Sequence, residues 1–97
     1  MSQYTFNLHR GAGYVSVHQG LDLKYRLPYG VDRLTREWTA HALTTLIGKG
    51  EAYRVLGSGA TVREGIPDKR LQVLIPKEYH IAAKPSLWIR FRNFFTL

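Results

Sequence analysis

Tyr4-Thr5-Phe6-Asn7-Leu8-His9-Arg10-Gly11-Ala12-Gly13-Tyr14-Val15-Ser16-Val17-His18 is the stretch on which the fold turns. Apolar and polar side chains alternate through Tyr4 to His9 and again through Tyr14 to His18, the period of a strand with one buried face. Arg10-Gly11-Ala12-Gly13 supplies the glycines of a tight connection between them. Pairing His9 with Tyr14 puts Tyr4, Phe6, Leu8, Val15 and Val17 on one face, and Thr5, Asn7, His9, Tyr14, Ser16 and His18 on the other. A slip of one residue would turn the whole apolar set to solvent, so the register is strongly specified. Gln19-Gly20 then leads into Leu21-Asp22-Leu23-Lys24-Tyr25-Arg26-Leu27, a third alternating segment with Leu21, Leu23, Tyr25 and Leu27 on its apolar side. Pro28-Tyr29-Gly30 ends it.

The next segment has a different period. From Asp32, a residue suited to capping a helix start, Leu34, Trp38, Ala42 and Leu46 recur at four-residue steps with Val31, Leu43 and Ile47 beside them. This predicts one main helix over about 32–47, with Trp38 as its core anchor and Gly48 as its C-terminal cap. Glu51 to Arg63 reads as a second hairpin turning at Gly57-Ser58-Gly59-Ala60, which sets Arg54 opposite Arg63. Residues 64–70 read as a loop and Leu71-Gln72-Val73-Leu74-Ile75 as a short buried strand. Lys77 to Ala83 suits either one helical turn or a strand containing Tyr79 and Ile81. From Ser86, the residues Leu87, Trp88, Phe91, Phe94 and Phe95 line one face of a helix, although Ile89, Phe91 and Phe95 also alternate with Arg90 and Arg92 as in a strand. The fold class expected is α+β. A single small domain over 1–97 would place the main helix on one face of an antiparallel sheet of about four to six strands, with 85–97 as a docking tail.

Composition narrows the function. Ninety-seven residues suit one domain, and the absence of cysteine excludes a disulfide framework, a zinc ribbon and a cysteine nucleophile. Met1 to Phe6 has neither a basic nor an apolar leader region, and no window approaches the ~18 apolar residues of a spanning helix, so a cytoplasmic location is expected. The 14 basic and 7 acidic residues leave a net charge of +7. Residues 69–97 carry Lys69, Arg70, Lys77, Lys84, Arg90 and Arg92 against Glu78 alone. Such a bias implies a phosphate-bearing or acidic partner, or simply solubility.

Candidate sites follow from these patterns. Like charges directly opposite on a ladder destabilise it by roughly 0.2–1 kcal/mol, so an Arg54–Arg63 pair calls for a phosphate or an acidic partner to offset it. Lys84, Trp88, Arg90, Phe91, Arg92, Phe94 and Phe95 interleave charge with aromatic surface, as stacking on bases with phosphate contacts requires. The same residues suit core packing, a membrane surface or a groove in a larger protein. Were the chain a ribonuclease, His80 or His9 would be its general base, with arginine on the phosphate. His9 and His18 stand roughly 13 Å apart along the ladder at ~3.3 Å per residue, too far to share one phosphate. His41 suits a half-buried structural role beside Trp38 and Thr45. No carboxylate accompanies the histidines at ligand spacing, so no metal site and no cofactor is expected. Gly11-Ala12-Gly13 and Gly57-Ser58-Gly59 match turns rather than a phosphate loop. Gly65-Ile66-Pro67, read as an exposed loop, offers a bond on which a prolyl isomerase could act.

The expected function is a non-enzymatic binding module that engages nucleic acid, or a host protein that processes nucleic acid, through Arg54, Arg63 and the tail. Its general character looks like that of the small modulators and inhibitors that phages and mobile elements encode against host nucleases or defence complexes, a likeness of class carried by no motif. The alternatives are a small toxin-type endoribonuclease and an adaptor that docks onto another protein by its C-terminal aromatic segment.

Overall fold

The computed structural model describes residues 1–81. Strands β1 (Ser2–His9), β2 (Tyr14–Gln19) and β3 (Asp22–Pro28) follow one another as antiparallel hairpins, and β4 (Val62–Ile66) adds to the far edge of β1. The sheet order is therefore β3-β2-β1-β4. Helices α1 (Arg33–Ile47) and α2 (Lys49–Leu56) make the crossover from β3 to β4. Helix α3 (Asp68–Leu74) and a single 3-10 turn (Lys77–Tyr79) come after β4. No helix among the described residues is long and apolar enough to cross a membrane.

The first hairpin has the register its alternation dictates, from Thr5 opposite His18 to His9 opposite Tyr14. Its turn closes on the His9 carbonyl, which accepts from the Ala12 and Gly13 amides at 3.1 and 2.8 Å. The third strand keeps the expected alternation, with Tyr25 and Leu27 buried and Lys24 and Arg26 exposed, but its ladder to β2 is irregular. With Gln19 opposite Asp22, an uninterrupted ladder would set Val17 against Lys24. One extra residue shifts the register between Val17 and His18, so that Val17 meets Tyr25 instead. This bulge brings Tyr25 and Leu27 into the core and turns Arg26 outward beside Ser16. Leu21, expected on the apolar face, precedes the strand and is fully exposed.

Helix α1 starts where the sequence indicates, with the Asp32 carboxylate accepting from the Leu34 amide at 2.9 Å. Its buried face is rotated from the expected stripe. Thr39, Ala42, Leu43, Leu46 and Ile47 are buried, at i, i+3, i+4, i+7 and i+8, whereas Val31 and Leu34 face solvent. Trp38 is half-buried against Tyr79, with ring centroids 5.5 Å apart, rather than anchoring the core. His41 is exposed, not half-buried. The buried face takes in Leu43 and Ile47 with Ala42 and Leu46, and it can include Thr39 because that hydroxyl donates to the Pro28 carbonyl at 2.6 Å.

Two expected elements are corrected. Residues 49–56 form helix α2, not a hairpin strand: Ala52 and Val55 are buried at i and i+3, while Tyr53 is 70% exposed where a strand would turn it to the side of Val55. Residues 68–74 likewise form helix α3, since Leu71 and Ile75 are buried at i and i+4 and Val73 is 77% exposed. The expected loop over 64–70 is accordingly shared between β4 and α3, which meet at Pro67. The core lies on one side of the sheet. Tyr4, Phe6, Val15, Val17, Tyr25, Leu27, Val62 and Ile66 pack there against Leu43, Leu46 and Ile47 of α1, Ala52 and Val55 of α2, and Leu71 and Ile75.

Candidate nucleic-acid interface

The face of the sheet turned away from this core carries the polar half of each strand. On β1 it presents Thr5, Asn7 and His9, on β2 Tyr14, Ser16 and His18, on β3 Arg26, and on β4 Arg63 opposite Thr5. None of these positions is a carboxylate, so the charge of the face is positive. At one end, three strands contribute to a single stack. The His9 and Tyr14 rings lie 4.6 Å apart at an interplanar angle of 20°. The Arg26 guanidinium lies 4.1 Å from the Tyr14 centroid. Both neighbours are too close to share one side of the ring, so Tyr14 is sandwiched between them. His9 is held from below, its Nε2 lying 2.8 Å from the Ser16 hydroxyl, and Ser16 is only 1% exposed. Stacked rings and a cation over a ring face each contribute on the order of 0.5–1 kcal/mol at exposed sites.

Arg54 and Arg63 are not a cross-strand pair. Arg54 is on α2, on the core side of the sheet, and its guanidinium meets both carboxylate oxygens of Glu51 at 3.3 Å, one turn away. Arg63 stands alone of the two on the outer face. The like-charge opposition expected between them does not exist, because a helix replaces the strand that would have carried it.

The two histidines considered for ribonuclease chemistry lie on opposite sides of the sheet. His80 follows the 3-10 turn, bridges to Tyr25 of β3, and sets its ring edge-on to that tyrosine at 4.9 Å. Its Nε2 donates to the Ile75 carbonyl at 2.6 Å. With Lys24, Gln72, Lys77 and Ile81 it lines an open groove of about 330 Å³. The Ile66–Pro67 bond lies at the ordered β4–α3 junction rather than in an exposed loop, with Ile66 buried and the peptide trans. Among the described residues no group of three His, Asp or Glu is disposed to hold a metal ion. Lys84, Trp88, Arg90, Phe91, Arg92, Phe94 and Phe95 lie outside the described residues.

Tyr14 and Arg26 are the site residues that sequence reasoning passed over. The hairpin register already sets Tyr14 beside His9, so that half of the stack was readable. Alternation likewise turns Arg26 to the polar side of the third strand; the bulge sets only the register that brings it within reach of Tyr14. No protein-family model, curated protein or solved structure matches the chain.

Proposed function

We propose that the chain is a non-enzymatic nucleic-acid-binding module whose contact surface is the outer face of the sheet. The observation that carries this reading is the Arg26–Tyr14–His9 stack on a strand face that bears Arg63 and no carboxylate. Such a face combines cations for phosphates with planar groups for bases, the two contacts from which sequence-tolerant binding is built. Chemistry finds less support there. Ser16 is buried beneath the stack, His9 has no acid partner among the strand positions of the face, and His80 is on the other side of the sheet.

Fluorescence anisotropy of labelled RNA and DNA oligonucleotides over a salt series tests the proposal on the full chain. Affinity should fall as salt rises, and Arg26→Ala and Arg63→Ala should each reduce the log–log slope by roughly 0.7–0.9, one phosphate contact apiece. Arg54→Ala, whose charge is engaged by Glu51, should leave the slope unchanged. Flat traces at low salt would refute nucleic-acid binding and direct attention to a protein partner. An RNA signal that decays with time would establish an endoribonuclease instead.

A further inference from the structure

We infer that the ligand of this face is single-stranded nucleic acid, and that one unpaired base stacks on the open side of the His9 ring, in the slot left where β4 stops. The inference rests on the nucleic-acid reading above and specifies its ligand. Tyr14 is not itself available as a platform, since His9 and Arg26 occupy its two faces. A base can only extend the stack at an end.

The His9 end is the one that the topology leaves open. β4 pairs with β1 from Ser2 opposite Ile66 to Phe6 opposite Val62 and goes no further. Beyond that point the Thr61 hydroxyl bonds to the Asn7 side chain, and among the described residues Leu8 and His9 have β2 on one side and no strand on the other. Strands repeat across a sheet at ~4.8 Å, close to the 4.6 Å between the His9 and Tyr14 rings. With no strand described on that flank, one more layer of the stack would fall at this same spacing. Ser16 fixes the His9 ring beforehand, so little conformational freedom remains to be lost on docking. Exposed Arg63 lies back along β1, opposite Thr5 on the same face, and supplies a cation on that side of the slot. A base inside a duplex already has both faces stacked and cannot enter such a slot. An unpaired base can.

The test compares one oligonucleotide as a single strand, as its duplex, and as the same strand with abasic sites, all binding the full chain. The single strand should bind roughly tenfold or more tightly than the other two forms, since loss of one base stack costs on the order of 5- to 150-fold. His9→Ala should lose that margin, and His9→Phe, which keeps a planar ring, should retain most of it. In the unsubstituted protein, 2-aminopurine placed in the strand should be quenched on binding, a readout that needs no variant. Equal affinity for single strand and duplex, or a His9→Ala protein that loses nothing, would overturn the slot; salt-dependent binding in those traces would leave the broader reading intact. No salt-dependent binding to any form would overturn both.

Discussion

Thr39 sits at the contact between α1 and the end of β3, fully buried and bonded through its hydroxyl to the Pro28 carbonyl. Thr39→Val keeps the shape but leaves that carbonyl without its partner, so the variant should lose about 1–3 kcal/mol in urea unfolding. Tyr4 makes a comparable tie at the other edge of the core, its hydroxyl donating to Asp68 in the first turn of α3. This bond, then one from Ser2, holds the Asp68 carboxyl below its ordinary value of 3.8 against an opposing effect of burial, with the N-terminal charge and Lys24 assisting. A carboxyl with a depressed folded value stabilises above its ordinary value, and that contribution drains away as pH falls through the folded one. Tyr4→Phe should therefore lower the melting temperature most at neutral pH, and the gap from the unsubstituted protein should narrow at an acidic pH below 3.8. An equal gap at both values would show that the charge on Asp68 contributes nothing.

At the scale of elements, α1 is defined by its caps and α2 by a break. Asp32 and Gly48 bound α1 as their residue types predict, yet the buried face includes Thr39, a polar residue that hydrophobic spacing ignores. Leu43→Ala, at a fully buried position, should cost about 2–5 kcal/mol, whereas Leu34→Ala, on the expected stripe but exposed, should change stability by less than about 0.5 kcal/mol. Gly48 joins the two helices at φ 91° and ψ 158°, a conformation essentially reserved for glycine, although a methyl group there would meet open space. Gly48→Ala should thus destabilise by about 1–3 kcal/mol through backbone strain alone. Gly50, in the first turn of α2 with ordinary backbone geometry and open space beside it, should respond oppositely, gaining roughly 0.4–1 kcal/mol as alanine. Urea titration of the pair reads both signs. The same sequence, 49–56, had the look of a strand because over eight residues two alternating apolar positions and two at helical spacing are equally easy to find.

Over the described residues the molecule is a sheet with two unlike faces: one closed by three helices, the other basic and carrying the Arg26–Tyr14–His9 stack. The closed side holds two buried tyrosines, Tyr4 and Tyr25, whose hydroxyls burial pushes above their ordinary value of 10.0, with Asp68 adding to the effect. A tyrosine raised in this way supports the fold fully below its unfolded value, and that support is lost as pH rises through the folded one. Above about pH 10 the protein should lose stability, and tyrosinate absorbance from Tyr4 and Tyr25 should appear together with cooperative unfolding; early ionisation in a folded protein would contradict their burial. The first hairpin, its register, the span of α1 and the polar identity of the outer face were all legible in the residues, because a period of two and the short-range demands of caps and turns are local properties. Arg63 and His9 were legible for the same reason. The partner of Arg54, the β1–β4 pairing, the bulge that delivers Arg26 to Tyr14, and the helical state of 49–56 and 68–74 were not. Each depends on which surface a short segment meets after the chain has crossed the sheet, and burial against that surface outweighs the small intrinsic preferences that the residues carry.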